Sequence, residues 1–138
     1  MIFVDTSALY AVLDRDDQNH SAATATWREL LEAEDNLLVT NYIVVETTAL
    51  VQHRLGMEAV RVFCAEIVPV PDVHWIAEAD HLHAQNALLA TDRGKLSLAD
   101  CSSFHVMRTR MLRAAFAFDQ HFREQGFERL PSAKSANF

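Results

Sequence analysis

This chain of 138 residues has little of what makes turns, cross-links or membrane spans. Three glycines and three prolines exclude a collagen-like, low-complexity or turn-rich β protein. The two cysteines, Cys64 and Cys101, stand far apart with no C-x-x-C pair, so neither a disulfide framework nor a structural zinc site is expected. No apolar run approaches the ~18 residues that a membrane span needs. Met1-Ile2-Phe3-Val4 carries no basic flank and meets Asp5 at once, unlike a signal peptide. A cytoplasmic protein with reduced thiols and no membrane partner is the expectation. Basic residues are scarce too, 12 against 19 acidic ones for a formal charge of −7. That excludes a basic, sequence-tolerant nucleic-acid coat. It does not exclude nucleic acid as a substrate, because an acidic site can meet phosphate through bound metal.

What the chain does have is a core. Half of it is hydrophobic and 22% is charged, enough for one packed domain, expected over residues 1–130 with a polar tail at 131–138. Ile2-Phe3-Val4 reads as a strand buried on both faces, hence parallel. Short helices are expected over Ala8–Leu13 and Ser21–Ala33, the second burying Ala23, Trp27, Leu30 and Leu31. Leu37-Leu38-Val39 is the next strand. Residues 41–55 favour a strand locally at Ile43-Val44-Val45, but His53, Arg54 and Gly56 close a helix, with Thr40 or Asn41 as its N-cap. A helix over Met57–Ala65, a strand over Ile67–Val70 and a helix over Val73–Leu89 follow. Ser97 caps a helix reaching Arg110, Ala114–Phe118 is a strand ending at Asp119, and Phe127–Leu130 is an edge strand. Strands alternating with helices predict an α/β fold with a mainly parallel sheet of four to five strands.

Two runs share one pattern: Ile2-Phe3-Val4-Asp5 and Ala114-Ala115-Phe116-Ala117-Phe118-Asp119. Each is an apolar strand followed by aspartate, and ligands of open parallel sheets bind outside the carboxyl ends of the strands. One such Asp is as readily a helix cap; two at one sheet edge point to function. Asp100 sits three residues after Ser97, where a capping-box carboxylate also belongs. Glu46 interrupts an otherwise apolar helix, and a carboxylate there is seldom buried unless paired or bound to metal.

Together these segments resemble the PIN-domain ribonucleases, especially the VapC-like toxins of bacterial toxin–antitoxin pairs. Val4-Asp5-Thr6-Ser7-Ala8-Leu9 is similar to the family's opening motif, and Asn41-Tyr42-Ile43-Val44-Val45-Glu46 to the segment carrying its internal Glu. Leu96-Ser97-Leu98-Ala99-Asp100-Cys101 resembles the third motif. Ala115-Phe116-Ala117-Phe118-Asp119-Gln120-His121-Phe122, then Gly126-Phe127, resembles the fourth. The resemblance implies a three-layer α/β/α sandwich whose Asp5, Glu46, Asp100 and Asp119 converge on Mg²⁺ or Mn²⁺. Crowded carboxylates raise one another's pKa values and destabilise an empty site. Mg²⁺ prefers oxygen ligands and keeps several waters, one of which, acidified, attacks an RNA phosphodiester. A homodimer and a cognate antitoxin partner are further implications.

Other residues carry weaker signals. A hydroxyl of Thr6 or Ser7 could orient Asp5 or a metal-bound water, with helix capping as the alternative, and Ser102 and Ser103 could do the same beside Asp100. His121 is a candidate for touching substrate, against an ordinary surface histidine. Asp80-His81-Leu82-His83 looks like a zinc pair, but helical residues two apart face different ways. Arg108, Arg110 and Arg113 are the best phosphate contacts in a chain so poor in cations, with Arg108 and Arg113 foremost and Arg93 and Lys95 as second choices. A haloacid-dehalogenase-type phosphohydrolase would want a second Asp where Ser7 stands. A stand-alone RNA-processing nuclease and a silent PIN-like RNA-binding module are the remaining alternatives, although the silent module typically loses one of the four acids.

Overall fold

A computed structural model of the protein describes residues 1–91 and 94–132. The expected phosphate contact Arg93 and the tail from residue 133 lie outside the described residues. The chain runs β1 (Ile2–Val4), α1 (Thr6–Leu13), α2 (His20–Glu32), β2 (Leu37–Thr40), α3 (Asn41–Leu55) and α4 (Met57–Val62). After a π-helical turn (Phe63–Ile67) come β3 (Asp72–His74), α5 (Glu78–Ala90), α6 (Leu98–Thr109), β4 (Ala114–Phe116), α7 (His121–Glu124) and β5 (Glu128–Leu130). The five strands form one sheet in the order β3-β2-β1-β4-β5, and every pairing is parallel.

The order reverses direction once. From β1 the chain steps outward through β2 to β3, then crosses back to β4 and β5. Right-handed crossovers therefore put α1–α4 on one face and α5–α7 on the other, giving the α/β/α sandwich. The helix contacts agree: α1 packs on α2 and α3, and α5 on α6. The central strands are apolar because both faces are covered: Phe3, Val4, Leu38, Val39, Ala115 and Phe116 are all buried. Phe122 from α7 packs its ring on Phe3 and Phe104.

Helix boundaries follow local chemistry. Thr40 caps α3 by accepting the Ile43 N–H on its hydroxyl at 3.1 Å. Gly56 ends that helix at φ 92°, ψ 179°, a conformation essentially reserved for glycine. In α2, Ala23, Thr26 and Leu30 are buried, while Leu31 lies off the stripe and is exposed.

Three expected elements are corrected. Ile67–Val70 is not a strand. The helix of α4 runs on through the π turn, where the Val68 N–H donates to the Phe63 carbonyl, and Phe63 and Ile67, four apart, bury on one side. The strand is Asp72–His74, beyond Pro71, pairing with Leu38–Thr40 at the sheet edge; α5 consequently starts at Glu78 rather than Val73. A run of apolar residues has no period of its own, and length alone could not choose between the two forms. Finally, β4 stops at Phe116, because Phe118 turns its N–H out of the ladder to the Ser7 hydroxyl, 3.0 Å away.

Candidate active site

The sheet reverses between β1 and β4, and crevices at such switch points are where α/β proteins bind ligands. Val4 pairs with Phe116, so both strands deliver their following residues to the same edge. Asp5 leaves β1 there as the N-cap of α1, and Asp119 follows β4. Helix α3 brings Glu46 and the first turn of α6 brings Asp100. The four carboxylates line one open cleft of about 650 Å³ with Thr6, Ser7 and Ser97.

Each carboxylate is held by its neighbours. One Asp5 oxygen, Oδ2, accepts from the Ser7 backbone N–H at 3.1 Å and the Ser7 hydroxyl at 2.6 Å. The same hydroxyl accepts the Phe118 N–H, so one side chain ties the end of β1 to the end of β4. The Phe118 carbonyl is gripped at 2.8 Å by Arg129 of β5. Asp119 is thereby aimed from both sides of the residue before it. Asp100 closes a capping box with Ser97, its Oδ2 accepting the Ser97 N–H at 3.0 Å. Glu46 accepts a hydrogen bond from the Thr6 hydroxyl, which itself accepts from the buried Thr47 at 3.0 Å.

The electrostatics are those of a cleft short of positive charge. Asp5 is 4% exposed, and burial pushes its carboxyl up to about 7 despite the Ser7 hydrogen bonds, with Asp100 and Asp119 adding repulsion. Burial first, and then like charge, also raise Glu46 and Asp100. No cation of the protein lines this cleft among the described residues.

His121 is the residue that sequence reasoning undervalued. Its side chain is not on the open surface but against Asp119, with Nδ1 buried and 2.8 Å from Oδ1. The angle is wrong for a hydrogen bond, and that oxygen already takes the His121 backbone N–H at 2.9 Å. Ligand atoms of Asp100, Asp119 and His121 lie within 4.8 Å of one another, a spacing one ion could bridge. The signal available was the Asp-x-His spacing at a strand end. All-oxygen donors from four acids, three of which (Asp5, Glu46 and Asp100) have their ionised forms disfavoured without a cation, fit a hard divalent ion.

Other candidates are placed elsewhere. Ser102 and Ser103 both donate to the Ala99 carbonyl of their own helix and do not reach the carboxylates. Arg113 is exposed ahead of β4, at the strand end opposite the one that delivers Asp119. Arg110 turns to His74 and Met1. Arg108 and Lys95 instead line a second, larger groove beside the cleft. His81 pairs with Tyr42 and His83 stacks on His105, so the supposed zinc pair diverges.

A PIN-domain model matches residues 2–128, and the chain belongs to that family. Among characterised relatives it is similar to the 23S rRNA-specific endonuclease VapC20 of Mycobacterium tuberculosis, with 30% identity over 92% of this chain and 95% of the relative. The crystal structure of the M. tuberculosis VapC20, described as a Sarcin-Ricin loop cleaving toxin, superposes with a TM-score of 0.81 at 29% identity, covering 92% of this chain and 96% of that one. FitAcB of Neisseria gonorrhoeae shares the fold, with a TM-score of 0.66 at 16% identity over 94% and 96% of the two chains. No helix among the described residues is long and apolar enough to cross a membrane.

Proposed function

We propose that the protein is an endoribonuclease dependent on Mg²⁺ or Mn²⁺, acting in the cytoplasm as the toxin of a toxin–antitoxin pair. The observation that carries this reading is the convergence of Asp5, Glu46, Asp100 and Asp119, from four separate elements, on one open cleft. These four acids would hold the cation, and His121 stands where its imidazole adds to the set. A divalent ion there supplies an acidified water and offsets the charge of the phosphodiester.

The chain's own residues supply position. Ser7 fixes Asp5 and, through Phe118, Asp119; Thr6 fixes Glu46; Ser97 fixes Asp100. No side-chain nucleophile is required. The relative's named target makes a ribosomal RNA loop the first substrate to try, and an antitoxin protein and a second copy of the chain are the partners that the family resemblance implies.

Purified protein is expected to cut single-stranded or loop RNA with Mg²⁺ or Mn²⁺ and not in EDTA. Hydrolysis by water leaves 3′-hydroxyl and 5′-phosphate ends. Asp5→Ala and Asp119→Ala should each slow cleavage by orders of magnitude. Cyclic-phosphate ends, full activity in EDTA, or wild-type rates in both variants would falsify the mechanism. Light scattering should give a dimer; a monomer throughout the micromolar range refutes that assembly.

A further inference from the structure

Among the described residues the carboxylate cleft contains no cation to meet a polyanion, yet it lies beside a groove that does. That groove, about 1100 Å³, lies between α5, α6 and α7. His121 belongs to its wall and touches Asp119, so groove and cleft adjoin. Its composition is the reverse of the chain's. Lys95 and Arg108 line it against a single carboxylate, Glu124, among the described residues, whereas the protein as a whole has 12 Lys and Arg against 19 acidic residues; three histidine rings complete the lining.

Arg108 and two of the histidine rings are also held in place. The Arg108 guanidinium donates to the Gln125 side-chain oxygen at 2.7 Å and lies over the Phe127 ring at 5.2 Å. His83 and His105 stack at 4.1 Å between ring centroids, and Asp80 holds the His105 Nε2 at 2.9 Å. Flat rings beside fixed cations are the elements of a single-strand site, where bases stack and phosphates meet positive charge.

Resting on the nuclease reading, we propose that this groove binds the single-stranded RNA flank that leads into the carboxylate cleft. Lys95 and Arg108 meet its phosphates, and the His83–His105 stack receives a base. The chain's overall negative charge then rejects RNA everywhere but along this approach, so the groove selects for strands unpaired beside the scissile bond.

The test measures binding in EDTA, where RNA is not cut, by fluorescence anisotropy with a 5′-labelled, mixed-sequence single-stranded RNA of about 12 nucleotides. Lys95→Glu and His83→Ala should each weaken affinity at least fivefold. Lys95→Glu should also flatten the dependence of log affinity on log salt by about 0.7, one phosphate contact's worth for a single strand. Both residues are exposed, and circular dichroism confirms that the variants fold. Arg28→Glu, on the remote exposed face of α2, is the control and should change affinity less than twofold. A duplex of the same sequence should bind more weakly than the single strand. The groove assignment is overturned if both variants bind as the wild type does, or no worse than Arg28→Glu. It is also overturned if an acidic peptide binds with loss in Lys95→Glu while RNA does not bind, which makes the groove a protein site. Metal-dependent cleavage of the same RNA by the wild type separates the failures. Cleavage with unaltered binding removes the groove alone, and neither cleavage nor binding removes both.

Discussion

Replacing Asp5 by Asn should make the metal-free protein more stable at pH 8. Asp5 titrates near 7 in the folded protein against 3.8 when unfolded. The folded state therefore keeps a proton that the unfolded chain has released throughout the interval between those values. Stability from this residue is fully present below about pH 4, falls as pH rises, and is gone above about pH 7. At about 1.4 kcal/mol for each pH unit, the loss is about 4 kcal/mol, a large part of the ~5–15 kcal/mol of a whole domain. Glu46 and Asp100 push in the same direction. Asp14 and Asp80 titrate below their ordinary value, so their contributions disappear only in more acid solution. Asparagine keeps the cap, since its side-chain oxygen can accept both Ser7 bonds, but has no charge to bury. Thermal melts in EDTA at pH 5 and pH 8 should show the wild type losing on the order of 10 °C and Asp5→Asn losing much less. A wild type that is flat or gains stability over that interval, or a variant with the same slope, refutes the reasoning.

Mg²⁺ or Mn²⁺ should raise the wild-type melting temperature by mass action, and Asp100→Asn should abolish that response while leaving the metal-free protein as stable or more so; an undiminished shift would place the ion elsewhere. Ser7→Ala removes a bond to Asp5 and the acceptor of the Phe118 N–H, and should cost about 1–3 kcal/mol in urea unfolding together with a marked fall in cleavage. An unchanged unfolding midpoint in that variant would show that the strand ends are fixed by something else.

The central strands were legible because burial on both faces writes them as plain apolar runs, as at Ile2–Val4. Helix ends were legible where a side chain or glycine acts locally, as at Thr40, Gly56 and Ser97. Strand β3 was not. Asp72–His74 is a polar edge strand whose conformation comes from pairing with β2, and its more apolar neighbours at Ile67–Val70 imitate a strand better than it does. Asp5 and Asp119 announced themselves by following strands and Glu46 by interrupting an apolar helix, while Asp100, equally at home in a capping box, needed the family motif. The supporting residues divide along the same line. Ser7 lies two residues from the Asp5 it holds, whereas its grip on Phe118, the hydrogen-bonding of Ser102 to its own helix and the distance of Arg113 from the cleft depend on three-dimensional placement. His121 matters through a contact that no periodicity encodes.

The hydroxyl of Ser7 joins residues 111 positions apart in the chain. A polypeptide emerging from the ribosome presents Asp5 long before Asp119, which appears only after α6 and β4 have been made. Until then β1 has a bare edge on one side, Ser7 has no Phe118 to receive, and the cleft is short of an acid. An incomplete chain therefore carries no finished carboxylate cleft. Assembly of the site is the late closing of a clasp between the two ends of the domain, and it takes place after nearly every other strand and helix is available to fold.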